Sequence, residues 1–262
     1  WLDRIDIFGL HLARLDIRQD ARLYREVLNE LLQNLDLCSA PESLNESNRQ
    51  QLLLDTLDGN LDVARDDLSK ITQDTLNLFN LLHHVVESFG MQALGTHVIS
   101  MSSAPSDVLT VLWLWQKTAP QTDDAQSIHS KILPIVPLLE TIEDLQNGPK
   151  ILSDLLAIKE YRDYLRQQNN RQMIMLGYSD STKCGGYLSA CWSLHEAQKQ
   201  LHAVADQFDT QLTFVHGRGG SLGRGGGPAA RGILSVPAGT FTGALRLTEQ
   251  GEVLADRYDD PI

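Results

Sequence analysis

The sequence predicts a parallel α/β protein, and three observations carry that expectation. Short apolar runs recur along the chain: 94–101 (LGTHVISM), 131–139 (KILPIVPLL), 172–176 (QMIML) and 211–215 (QLTFV). Each run ends in a polar cluster, and after the first three a stretch with helical spacing follows. Strand, cluster and helix in repetition is the pattern of parallel units joined by right-handed crossovers, and strands that are apolar throughout suit a sheet covered on both faces. In barrels of this type the functional residues sit at the C-terminal strand ends. Here those ends carry Arg18, Ser102, Glu140, Asp180 and Lys183, then His216 and Arg218.

In chain order, 8–18 (FGLHLARLDIR) alternates over its second half and fits a strand. An amphipathic helix is expected over 20–37, with Leu23, Val27, Leu28, Leu31 and Leu32 at helical spacing. A polar turn region covers 34–48, and helical pattern returns through 49–57 and 71–89. After the strand 94–101, Ser103 or Ser106 is placed to cap a helix running 107–117. Helical segments after 145 reach about Gln168, with Tyr161, Tyr164 and Leu165 on one face. A long helix is expected over 186–208, and 244–247 reads as a further strand. Trp113 and Trp115 read as core, His83 and His84 as surface or boundary residues.

The 262 residues suffice for one large domain or two small ones. A net charge of −12 argues against nonspecific nucleic-acid binding, which needs a basic face. No signal peptide is visible and no apolar run reaches a membrane span, Val108 to Trp115 being too short. Cys38, Cys184 and Cys191 form no metal-like pair, so disulfides are not expected and a reducing cytoplasm is the default. The chain begins at Trp1 and stops at Ile262, and both ends read as cut from something longer.

The most distinctive stretch is 214–228, FVHGRGGSLGRGGGP. Seven of the twelve residues from His216 to Gly227 are glycine, and three of the other five are His or Arg. That density lets the backbone press close to a ligand and offers N–H groups to an oxyanion, while Arg218 and Arg224 add planar forks of donors. A flexible linker would carry Ser and Thr rather than spaced Arg and His. The loop reads as an anion site.

Glu140 and Asp180 each follow an apolar run and would face the same mouth. Two carboxylates with no apparent internal cation suit Mg²⁺ or Mn²⁺, completed by water and substrate oxygens. The plain alternative is acids at helix N-termini, where negative charge is favourable; the anion loop nearby makes the shared metal the better account. His216 is a candidate donor to developing negative charge, or a histidine that only satisfies backbone groups. Lys183 is a phosphate point charge or a solvated helix-start lysine.

These residues resemble phosphoenolpyruvate carboxylase over nearly the whole chain. The matching pieces are FGLHLARLDIRQD (8–20), VISMSSAPSDVL (98–109), PIVPLLETIEDL (134–145), MLGYSDSTK (175–183), FVHGRGGSLGRGGGP (214–228) and LRLTEQGEV (245–253). The resemblance implies a (β/α)8-type barrel with many extra helices, here helix-rich and partial. It implies bicarbonate joined to phosphoenolpyruvate with Mg²⁺ or Mn²⁺, giving oxaloacetate and phosphate, in a cytoplasmic, homotetrameric parent enzyme. Glu140 and Asp180 match the family's metal ligands, and Arg18, Arg218 and Arg224 match arginines that hold phosphate or carboxylate groups. An acidic metabolite effector at Arg224 is a further implication. His216 matches the loop histidine of carboxyphosphate and enolate chemistry, and Lys183 is grouped with it as catalytic. Leu138 and Met175 match the apolar pocket for carbon dioxide.

The chain departs from the family pattern after Lys183, where Cys184-Gly185-Gly186 stands in place of Asp-Ala-Gly. The family's N-terminal region, with a second catalytic histidine, and its C-terminal region have no counterpart here, so the chain reads as the central part of the catalytic barrel. The competing reading is a non-catalytic phosphometabolite-binding remnant. A different phosphate-transfer enzyme is disfavoured because Gly-x4-Gly-Lys-Ser/Thr is absent.

Overall fold

The computed structural model describes residues 2, 14–59, 61, 63–120, 132–217, 236–240 and 246–247. The chain divides into two compact units: residues 1–99 with 104–135, and residues 100–103 with 136–262. The architecture is α/β and helix-rich, its strands following one another in chain order, consistent with part of a (β/α)8 barrel.

The first unit holds β1 (Leu15–Asp20), α1 (Ala21–Asn34), α2 (Glu46–Asp55), α3 (Lys70–Phe89), nearly all of β2 (Leu94–Ser100) and α4 (Pro105–Lys117). The early part of the expected first strand, 8–13, lies outside the described residues. Asp20 ends β1 and caps α1, accepting the Arg22 amide hydrogen. The helix buries Tyr24, Val27, Leu28, Leu31 and Leu32, and it stops at Asn34, with Asp36 turning to φ 54°. Almost every side chain of α4 is buried, as a helix apolar all round requires. Trp113 and Trp115 are core, and Trp113 Nε1 donates to Thr56 Oγ1 at 3.0 Å.

Two expectations fail here. Neither Ser103 nor Ser106 caps α4. Its N-cap is Ala104, whose amide donates to Asp107 Oδ2 at 3.0 Å, while Ser106 turns to the Glu46 carboxylate. His83 is not a surface residue: its ring stacks on Trp115 at 3.8 Å, and Nε2 bonds the Trp115 carbonyl at 2.9 Å. Amphipathic spacing places a histidine on a face but cannot show which tryptophan covers it.

The second unit holds β3 (Ile135–Leu139, from Val136), α5 (Ile142–Ala157), α6 (Lys159–Arg166), β4 (Arg171–Gly177), α7 (Ser179–Gln207), β5 (Gln211–Gly217) and β6 (Arg246–Leu247). β3, β4, β5 and β6 pair in parallel in that order. Parallel neighbours need crossovers, supplied here by α5 and α6, then by α7. α6 is anchored by the buried Tyr161 hydroxyl, which donates to Gln172 Oε1 of β4 at 2.6 Å. The crossover from β4 to β5 differs from expectation: helix begins at Ser179 rather than Gly186, and Gly186, at φ 76°, kinks it.

In the first unit His97 of β2 is fully buried. Tyr24 Oη lies 2.6 Å from its Nε2, and Phe79 stacks on the ring at 5.6 Å. Burial holds the imidazole neutral, lowering its pKa from 6.5 to about 4. A depressed folded-state value means that the fold favours the neutral ring. The stability is therefore complete above pH ~6.5 and is lost as the pH falls towards 4. Urea unfolding should show roughly 3 kcal/mol of this loss, and His97→Phe should flatten that part of the slope.

Candidate functional site

The site is assembled within the second unit, at the C-terminal ends of β3, β4 and β5. Along a strand, side chains alternate between faces. Leu139 points to the helix layer, where a Cβ on Gly148 of α5 would meet its Cδ1 at 2.6 Å. Leu138 and Glu140 therefore share the other face. Leu138 pairs with Met175 and Leu139 with Leu176, which brings Glu140 beside Gly177.

Glu140 is only 6% exposed, and it is held from several sides. Its backbone amide donates to Asp144 Oδ2 at 3.3 Å, part of the capping box that starts α5. In that box Thr141 N–H donates to Asp144 Oδ2 at 2.9 Å and Asp144 N–H donates to Thr141 Oγ1 at 3.0 Å. Its carboxylate Oε2 accepts the Met101 amide hydrogen at 2.9 Å. Met101, just past β2, has φ 55°, a left-handed conformation that is uncommon outside glycine.

Asp180 stands in the first turn of α7, three residues beyond the end of β4. Its Oδ1 accepts from Lys183 Nζ at 2.7 Å, and the carboxylate is 46% exposed. The absence of an internal cation, expected from the sequence, is thus corrected: Lys183 is that cation, one helical turn along. So open a pair contributes little stability.

His216 is buried in β5, and Tyr178 Oη lies 2.6 Å from its Nδ1. Its strand register is with Leu176, which by alternation puts it on the face opposite Met175. The sequence reading missed Tyr178, Met101 and Gly177; the hydroxyl in GYSDS is the only one of the three signals open to it.

Leu138 and Met175 are both buried, and the Met175 methyl covers Gly217, where a Cβ would stand 2.9 Å from Cε. Two apolar side chains on adjacent strands thus share a face with Glu140. Arg18 lies in the first unit, exposed on β1, where its charge helps to hold the Asp20 carboxyl below the usual range, after the larger effect of Arg22. Arg218 and Arg224, with the glycine loop from 218 onward, lie outside the described residues.

The donor set fits a hard divalent ion. Among the described residues no three His, Cys, Asp or Glu side chains gather as a metal cluster, so a zinc-type site is not formed by them. One buried carboxylate with a fixed oxygen, and a second on the next strand exit, is the sparse protein contribution that Mg²⁺ and Mn²⁺ take beside water and substrate oxygens.

The family model of phosphoenolpyruvate carboxylase matches residues 1–262. The chain belongs to the phosphoenolpyruvate carboxylase family. Among its curated relatives, the phosphoenolpyruvate carboxylases of Gloeobacter violaceus and Thermosynechococcus vestitus are each 40% identical, over 260 and 263 residues. That of Synechococcus sp. (strain WH7803) is 41% identical over 266. The matches cover 98–99% of this chain but only 26–27% of each relative, so the chain spans about a quarter of their length. Phosphoenolpyruvate carboxylases are a carboxy-lyase family, and no described helix is long and apolar enough to cross a membrane.

Of Cys184-Gly185-Gly186, the third residue is the glycine shared with the family pattern, and the structure shows what it does. Gly186 at φ 76° breaks the helix directly after the turn bearing Asp180 and Lys183, a conformation that most side chains would resist. Cys184 is exposed and lies next to that turn. The Tyr178–His216 bond is a further local anchor, since it gives Nδ1 of a buried imidazole a partner. Tyr178→Phe should lower stability by about 1–2 kcal/mol in urea unfolding, the effect of removing one partner from a buried polar group.

Proposed function

We propose that this chain is the central part of the catalytic barrel of a phosphoenolpyruvate carboxylase, a cytoplasmic enzyme that joins bicarbonate to phosphoenolpyruvate and releases oxaloacetate and phosphate. The reading is supported by the family match over residues 1–262 together with a buried carboxylate, Glu140, at the strand end that the family's metal motif occupies. Glu140 and Asp180 would hold Mg²⁺ or Mn²⁺, which would supply positive charge to substrate oxygens. Arg218 and Arg224 of the loop, with Arg18, hold the phosphate and carboxylate groups as planar donors. The loop arginines offer positive charge to the charge that develops on the enolate and the departing phosphate; the family resemblance adds His216 as the proton donor, although its register with Leu176 sets it on the face of Leu139 rather than that of Glu140.

Leu138 and Met175 make the apolar wall against which carbon dioxide waits. Excluding water there keeps the enolate carbon for the new carbon–carbon bond instead of a proton. Lys183 balances the Asp180 carboxylate and is placed as a point charge for phosphate. An acidic effector at Arg224 and a homotetrameric parent belong to the same reading.

The test is a coupled malate dehydrogenase assay on the intact parent with Mg²⁺, bicarbonate and phosphoenolpyruvate. Bicarbonate-dependent turnover is expected, with Glu140→Gln and Asp180→Asn each lowering kcat by about 100-fold or more. The 262-residue piece alone should show none of it, because charge-stabilising groups act as a unit. An intact parent that binds phosphoenolpyruvate without turnover would replace this proposal with the non-catalytic binding remnant.

A further inference from the structure

We infer that Gly177 and the Met101 amide form a positioning device for the Glu140 carboxylate, with Gly177 required for the space it leaves. The inference rests on the reading of Glu140 as a ligand of the divalent ion.

The strand register places Gly177 beside Glu140. A Cβ at Gly177 would stand 3.0 Å from Glu140 Cα, 3.2 Å from the Leu139 carbonyl oxygen and 3.3 Å from Glu140 Cγ. The two nearest of these are backbone atoms, which cannot rotate away as the tip of a long side chain can. Gly177 is not among the residues with positive φ, so conformational freedom is not what the position demands. The missing side chain lets the end of β3 lie against β4, and Glu140 leans over the vacant Cβ position.

The other half of the device is Met101. Its left-handed backbone directs the N–H to Glu140 Oε2 at 2.9 Å. Strained backbone in a non-glycine residue persists only where the surroundings impose it, and such residues cluster at functional sites. The amide bond fixes one carboxylate oxygen, and the glycine fixes how far Cα and Cγ stand from β4. Together they define where the second oxygen points. Charge alone would not require this arrangement; a ligand that demands near-ideal geometry would, and small divalent ions do.

Gly177→Ala forces the end of β3 to shift and so moves the carboxylate off the Met101 amide. Two readouts on the 262-residue chain separate the possibilities: Mn²⁺ affinity by electron paramagnetic resonance, and the Met101 amide resonance with its hydrogen-exchange protection. Gly177→Ala should weaken Mn²⁺ binding about 10–100-fold, the range for groups that orient a metal ligand, and should shift and deprotect the Met101 amide. Gly148→Ala, which meets Leu139 on the opposite face, should leave both unchanged. If Gly177→Ala keeps the Mn²⁺ affinity and the protected amide, the inference is overturned. A chain that takes up no Mn²⁺ removes the metal reading, and the amide readout alone then decides the positioning. If Gly177→Ala does not fold, Glu140→Asp puts the same question from the carboxylate's side. Losing one methylene should withdraw the oxygen from Met101 and weaken Mn²⁺ to a similar degree; an unmoved amide would again overturn the inference.

Discussion

A carboxylate buried at the end of an apolar strand must be answered by hydrogen-bond donors or by a cation, or it will not remain there as an ion. In this chain that carboxylate is Glu140, and much of the second unit's upper edge is arranged around it. The capping box of α5 ties its own amide to Asp144, the exit of β2 turns left-handed at Met101 to supply a donor, and β4 ends in a glycine that lets it sit close. Remove the carboxylate, and the left-handed turn at Met101 loses the side chain its amide serves.

The same edge separates two kinds of neighbour. Leu138 and Met175, side by side across β3 and β4, lie on Glu140's face and make it apolar. Asp180 and Lys183 lie beyond β4 on an open helical turn, half exposed and paired with each other. One fixed and one open carboxylate suit the proposed divalent cation, completed by water and substrate oxygens. In the proposed reaction such a wall would protect an intermediate that water would destroy. The kink at Gly186 limits the turn carrying Asp180 to a short piece, distinct from the rest of α7.

How much of this could be read without coordinates depends on range. The strand-end positions of Glu140 and Asp180 follow from apolar runs and what comes after them, and the buried Leu138 and Met175 follow from the same runs. The Lys183–Asp180 pair is one helical turn apart and so was legible in principle, had a helix been expected before Gly186 rather than after it. Met101 and Gly177 were not legible as parts of the site, and of Tyr178 only the hydroxyl was, not its partner. Their roles come from contacts across 39, 37 and 38 residues of sequence, where no periodicity speaks. His83 and the cap of α4 fail for the same reason: Trp115 and Glu46 reach them from other elements.

The central claim is that Glu140 and Asp180 share one divalent ion at the strand ends. The most direct measurement is a crystal structure of the intact parent grown with Mn²⁺ and an unreactive phosphoenolpyruvate analogue, read by anomalous scattering from manganese. The account predicts a single peak with carboxylate oxygens of both Glu140 and Asp180 at about 2.0–2.6 Å. A peak bound elsewhere, or an Asp180 carboxylate still held by Lys183 while the ion sits on other ligands, would contradict it.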